Sequence, residues 1–82
     1  MGNPVVHFEI NGPDDELTAK YYSELFGWHI QQIPGMEYAT IDTHGDDGIN
    51  GGIGRSEQAY SSIFVETDDV QEMLDKAGSL GA

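Results

Sequence analysis

Alternating apolar and polar residues predict a β-strand near the start of the chain, over residues 5–10. Val6, Phe8 and Ile10 fall on one face of this strand and are expected to meet the core, because successive side chains point to opposite faces. His7 and Glu9 share the other face. The pattern therefore predicts a strand with one apolar face and one face that carries candidate functional groups.

A helix is predicted after the turn sequence "NGPDDE" that follows the first strand. Asp14 and Asp15 are placed to cap its start and to complement the positive end of its dipole. Gly27 is expected to end the helix in a left-handed conformation. Apolar residues recur between these ends at helical spacing, at Leu17, Tyr21, Tyr22, Leu25 and Phe26.

The same pattern predicts four further strands and a second helix. The strands are expected at residues 28–33, 36–42, 51–54 and 62–67, and the one at 51–54, "GGIG", is weakened by its glycines. Asp68, with Gln71 after it, resembles a capping box for the second helix. The inner face of that helix is expected to carry Val70, Met73, Leu74 and Ala77.

A weak internal repeat relates the two halves of the chain, since an apolar strand, an acidic pair and a helix recur at an offset of 54. The acidic pair at 14–15 recurs at 68–69, and the helix end at 25–27 recurs at 79–81. We therefore predict a single domain over residues 1–82. It comprises a complete βαβββ module at 1–55 and a partial second module, strand and helix only, at 56–82.

The composition excludes several classes of function. The 82 residues include 15 acidic and 3 basic side chains, for a formal net charge of −12. Binding to nucleic acid requires Lys and Arg to neutralise phosphates, so we predict no nucleic-acid partner. No cysteine is present, so disulfides and thiol chemistry are ruled out. No apolar run approaches the ~20 residues that span a bilayer, so we expect a cytoplasmic protein without a membrane partner.

Small size without disulfides favours association, and a partial second module leaves a strand edge exposed. We therefore predict either a homodimer, with or without exchange of strands between the copies, or a chain cut short within the second module from a parent of about 120 residues.

The segments "VVHFEI", "DDELTAKYYSELFGWHI", "YATID" and "GGIG" together resemble the vicinal-oxygen-chelate superfamily, which includes glyoxalase I, bleomycin-resistance proteins and extradiol dioxygenases. The resemblance implies an α+β fold with a curved, mixed, cup-shaped sheet, both helices on one face and a ligand on the concave face. Many members hold a divalent metal there, Fe, Mn, Ni, Co or Zn, through His, Gln or Glu side chains. The metal acts as a Lewis acid on vicinal oxygens of the substrate.

Carried over residue by residue, the resemblance fills one of four metal-ligand positions. His7 matches the ligand of the first strand. Ser62 occupies the sister position in the second module, where serine is a poor ligand. Glycine or isoleucine stands in the fourth strand where a Glu is expected, and Glu57 is the nearest carboxylate. The last ligand belongs to a strand beyond this sequence.

Each candidate residue has a structural and a functional interpretation. His7 is either a polar residue on the less apolar face of its strand or part of a metal or ligand site. Glu9, on the same face, is a candidate metal ligand, partner of His7 or catalytic base. The aromatic residues Trp28, Tyr38, Tyr60 and Phe64 are interpreted as core or as the lining of a ligand pocket. His29 and His44 are expected to be structural or exposed.

Two functions from different classes remain. The first is a small-molecule-binding protein similar to the bleomycin-resistance proteins, with His7, Trp28, Tyr38, Ser62 and Phe64 around the ligand and no complete metal site in one chain. The second is a metal-dependent glyoxalase-type lyase or isomerase, or a dioxygenase. In it a divalent metal is held by His7, the site is completed across the homodimer, and Glu9 moves the proton.

Overall fold

The fold is α+β, a five-stranded mixed sheet with two helices, in a computed structural model that describes residues 2–43 and 45–82. The elements in chain order are β1 (Val5–Gly12), α1 (Asp15–Phe26), β2 (His29–Gln32), β3 (Tyr38–Asp42), β4 (Gly51–Arg55), β5 (Tyr60–Val65) and α2 (Val70–Ser79). All seven predicted elements are present. The boundaries differ by a few residues: β1 extends to Gly12 instead of residue 10, and β5 covers Tyr60–Val65 instead of 62–67.

The strand order across the sheet is β2-β3-β4-β1-β5, which makes β2 and β5 the edge strands. β1 pairs with β4 in parallel and with β5 in antiparallel orientation. The pairs β2–β3 and β3–β4 are antiparallel. β4 therefore lies between β3 and β1, and side chains of those two strands can approach each other only across it.

Local capping defines the helix ends. The Asp14 side chain accepts a hydrogen bond from the Leu17 backbone N–H at 3.0 Å, which satisfies one of the free donors of the first turn. Gly27 has φ 72°, in the left-handed region, as predicted, and its backbone N–H donates to the Ser23 carbonyl. At α2 the prediction was wrong by one residue: Asp69, not Asp68, is the cap, and its side chain accepts from the Glu72 N–H at 3.0 Å.

The core lies between the sheet and α1. Its buried apolar members are Ala19, Ala39, Ile41 and Ile53, and Phe8, Ile10, Trp28 and Ile30 pack against them. Phe8 and Ile10 of β1 and Ala39 and Ile41 of β3 share the face that α1 covers, as the alternation predicts. The expectation that Val6 also meets the core is wrong: Val6 is 44% exposed, since it precedes Phe8, where pairing with β4 begins. The opposite face is left to the polar side chains of the same strands.

The second helix does not contribute to this core. No residue of α2 is buried, and Val70 and Leu74 of its apolar side are 65% and 60% exposed. The prediction of two helices packed against one face is therefore confirmed for α1 alone. No helix in the described part of the chain has the length and apolar character needed to cross a membrane.

Candidate functional site

Polar side chains of β1 and β3 meet on the face of the sheet opposite α1, which we call the polar face. The face is defined by His7, Glu9 and Asn11 of β1 and by Tyr38 of β3. The three β1 residues are two positions apart, so the pleat directs all of them away from the core that Phe8 and Ile10 contact. The expectation that His7 and Glu9 share a face is confirmed.

The Tyr38 hydroxyl contacts both Glu9 and His7. Tyr38 Oη donates to Glu9 Oε2 at 3.2 Å and lies 3.5 Å from His7 Nε2. Asn11 Nδ2 donates to the other carboxylate oxygen, Glu9 Oε1, at 3.5 Å. His7 Nε2 and Glu9 Oε2 are 4.0 Å apart. The result is a connected polar network centred on the Glu9 carboxylate, and its donor–acceptor distances lie at or beyond the long end of the usual range.

Two glycines of β4 make the network possible. Tyr38 must reach across β4 to contact β1, and a Cβ built on Gly52 would overlap Tyr38 Oη and Cζ. A Cβ on Gly54 would overlap Asn11 Oδ1 in the same way. Gly52 and Gly54 therefore leave the side of β4 that faces the network without side chains. The glycines were expected to weaken this strand, and their absence of side chains is what admits Tyr38 at Gly52 and Asn11 at Gly54.

The environment of Tyr38 keeps its hydroxyl protonated. Burial raises the pKa of Tyr38 above its usual value, and the negative charge of Glu9 and the hydrogen bond to that carboxylate raise it further. The phenol therefore stays protonated, and able to donate to Glu9, to a higher pH than an ordinary tyrosine does.

β5 borders the polar face on the side of β1. Ser62 pairs with Glu9 in the strand register, and Phe64 pairs with His7. The Phe64 ring meets the His7 ring edge to face, with centroids 5.0 Å apart and an interplanar angle of 77°. Ser62 and Phe64 thus lie beside the network, where the sequence analysis expected ligand-binding residues.

Trp28 lies elsewhere. Its ring packs against Phe8, Tyr22 and Phe26, with centroid distances of 5.8, 5.7 and 5.0 Å, on the side of the sheet that α1 covers. The structure therefore separates Trp28 from the other predicted ligand-binding residues, and its surroundings match the core interpretation. His29 is exposed on the edge strand β2, and His44 lies outside the described residues.

Asn11 is the member of the network that the sequence analysis missed. It was assigned to the turn "NGPDDE", but it is the seventh residue of β1 and only 7% exposed. The signal was available in the sequence, since residue 11 continues the alternation of positions 7 and 9. The turn-forming character of Asn and the following glycine obscured that alternation.

The polar face offers a metal ion fewer ligand atoms than a complete site needs. Across residues 2–43 and 45–82, no group of three or more His, Asp or Glu side chains is placed to hold one. His7 Nε2 and Glu9 Oε2 supply two donor atoms, whereas protein metal sites generally use three or four. Gly52, Gly54 and Ser62 offer no further strong ligand beside them. Within the described residues, the polar face therefore supplies only part of a metal centre.

No protein-family model matches the chain, and no curated protein is significantly similar to it. The function must therefore be inferred from the polar face itself.

Proposed function

We propose that the chain binds a small organic molecule on the polar face. The observation that carries the proposal is the network in which Tyr38 Oη lies 3.2 Å from Glu9 Oε2 and 3.5 Å from His7 Nε2. A few convergent polar groups beside an aromatic side chain are typical of small-molecule sites. Here the aromatic neighbour is Phe64, and no helix covers this face within the described chain.

The architecture supports a relationship to the small-molecule-binding members of the vicinal-oxygen-chelate superfamily, such as the bleomycin-resistance proteins. The strand–helix–three-strand order from β1 to β4 corresponds to the module expected for that superfamily. α1 covers one face, and the polar residues lie on the other, where the resemblance leads us to expect the ligand. Membership in the superfamily and the identity of its ligand are part of the proposal.

A metal-dependent lyase, isomerase or dioxygenase is the second candidate. The observation that favours it is the placement of His7 Nε2 and Glu9 Oε2 on one face, 4.0 Å apart, from where a small movement of the side chains toward each other would let both atoms ligate one ion. A second copy of the chain would have to supply the remaining ligands. This candidate therefore requires both a homodimer and a bound divalent metal, and the first candidate requires neither.

Binding to the polar face is tested by recording amide NMR spectra during addition of a small-molecule library. We expect shifts concentrated in β1 and β5, and we expect them to be lost in Tyr38→Phe and His7→Ala. A matched control is His29→Ala, which removes a histidine from the edge strand β2 and should leave binding unchanged. Ligands that shift other regions, or that bind all three variants equally, would contradict the proposal.

Metal analysis separates the two candidates. The protein is purified without chelator beside His7→Ala, and its content of Fe, Mn, Ni, Co and Zn is measured. Stoichiometric metal that disappears in the variant supports the enzyme. Absence of metal from both forms, after each metal has been supplied in turn, removes it.

A further inference from the structure

We infer that the ligand group that meets Glu9 is an organic cation, such as an ammonium or amidinium group, carried by an apolar or aromatic body that packs on Phe64. The inference rests on the proposed function of the polar face. It adds the chemical class of the ligand, and its basis is the charge distribution around Glu9.

Glu9 is a partly buried carboxylate with neutral hydrogen-bond partners. Its side chain is 24% exposed, and the two donors that reach it are the Tyr38 hydroxyl at 3.2 Å and the Asn11 amide at 3.5 Å. The nearest basic atom is His7 Nε2, at 4.0 Å. A carboxylate in this setting has lost part of its hydration without gaining a full positive charge in return.

The strong bases of the chain lie away from the polar face. There are three in the whole sequence. Lys20 belongs to α1, on the opposite side of the sheet, and Lys76 belongs to α2, which packs against none of the described strands. Arg55 pairs with Glu37, with Nη1 and Oε1 3.3 Å apart. An anionic ligand such as a carboxylate or phosphate would therefore meet Glu9 without a lysine or arginine to neutralise it.

The negative charge of Glu9 already acts on Tyr38, because it contributes to the raised pKa of the tyrosine. The formal net charge of −12 adds a long-range attraction for cations and a repulsion for anions at low ionic strength. Both effects favour a positively charged ligand.

The register of β5 supplies the apolar part of the site. Ser62 stands opposite Glu9, and Phe64 and Tyr60, two positions to either side, stand opposite His7 and Asn11. The small serine thus lies between two aromatic residues that are 44% and 53% exposed. A cation above an aromatic ring is attracted by the ring's electron density, so a ligand with a flat or apolar body gains from both the carboxylate and the rings.

Three probes that differ in charge test this inference: phenethylammonium, 2-phenylethanol and 3-phenylpropionate. Each is titrated to millimolar concentration at pH 7 and low salt, with EDTA present, while amide NMR signals of β1 and β5 are followed. We expect phenethylammonium to bind about tenfold more tightly than the alcohol, in line with a charge-assisted hydrogen bond, and the propionate to bind least.

Glu9→Gln should weaken phenethylammonium binding about tenfold and leave 2-phenylethanol unaffected. Glu24→Gln removes the same charge from the exposed side of α1 and should leave both affinities unchanged. Should Glu9→Gln fold poorly, the wild type still decides the point. The ammonium probe must shift the amide signals of Glu9 and of Ser62, its partner in β5, most strongly, because attraction by the net charge alone would not be confined to that part of the polar face.

The outcomes distinguish this inference from the proposed function. If the alcohol or the propionate binds the polar face as tightly as the ammonium probe, the cationic class is wrong and the binding function stands. Equal losses in Glu9→Gln and Glu24→Gln also overturn the inference, because they would reflect net charge alone. If no probe moves signals on the polar face, both the inference and the proposed function fail.

Discussion

Replacing Gly52 with alanine is expected to drive the Tyr38 side chain off the polar face. The three atoms closest to a Cβ built at residue 52 all belong to Tyr38: Oη, Cζ and Cε2. The backbone of Gly52 does not require glycine, because the positive-φ glycines are Gly27, Gly35 and Gly81. The alanine methyl therefore competes with the tyrosine ring for one space, and the backbone geometry is unaffected.

The expected change in the free energy of unfolding combines two destabilising effects and one stabilising effect. Overpacking typically costs about 1–3 kcal/mol. Loss of the Tyr38–Glu9 hydrogen bond removes about 0.5–1.5 kcal/mol more. Replacing glycine by alanine at a compatible position restores about 0.4–1 kcal/mol, because it reduces the freedom of the unfolded chain. We expect Gly52→Ala to lower the free energy of unfolding by about 0.5–4 kcal/mol.

A double-mutant cycle with Tyr38→Ala measures this competition directly. The free energy of unfolding is determined by urea denaturation for the wild type, both single variants and the double variant. In the Tyr38→Ala background the added methyl has room, so Gly52→Ala should be neutral or stabilising by up to about 1 kcal/mol. Tyr38→Phe should not rescue, because Cζ also lies within contact distance of the new methyl.

Gly51→Ala is the matched control. A Cβ on Gly51 would overlap the backbone carbonyl of Phe8 in the neighbouring strand, and Tyr38→Ala cannot relieve that contact. Additive effects of Gly52→Ala and Tyr38→Ala, with no coupling between them, would refute the claim that Gly52 leaves the space that Tyr38 occupies.

Three further predictions concern ionisation, capping and assembly. Alkaline titration of the phenol absorbance, compared with Tyr38→Phe, should show Tyr38 ionising above its usual pKa, and Glu9→Gln should lower that pKa without abolishing the effect of burial, its largest cause. Because the folded form holds this proton more tightly than the unfolded chain, the Tyr38 contribution to stability should fall as pH rises through about 10, a fall that Tyr38→Phe should reduce. Asp14→Ala should cost about 0.5–2 kcal/mol in the free energy of unfolding through the lost N-cap, whereas Asp46→Ala in an exposed loop should cost little, and equal losses would contradict the capping role. Sedimentation at micromolar concentration should show a homodimer that Leu74→Glu on the exposed side of α2 weakens, and a stable wild-type monomer would refute the dimer.

The elements themselves could be predicted from local patterns. Alternation identified β1 and the shared face of His7 and Glu9, because a strand places every second side chain on one side whatever it pairs with. Asp14 and Gly27 defined α1, because capping and left-handed backbone geometry depend on neighbours only a few residues away. The aromatic residues carried no such local signal, and only their packing separates Trp28 from Tyr38.

The candidate site depended on the tertiary structure. Tyr38 lies 31 residues from His7 and 29 from Glu9 along the chain, and the three meet because only β4 separates β3 from β1 and Gly52 leaves room for the tyrosine ring to cross it. That strand order is a long-range property, and the roles of Gly52 and Gly54 become visible only when the strands on both sides are known. The sequence by itself determined that His7 and Glu9 share one face of their strand, away from Phe8 and Ile10. The pairing of the strands decided which side chains touch, because hydrogen bonds between side chains require a proximity that the order of residues does not encode.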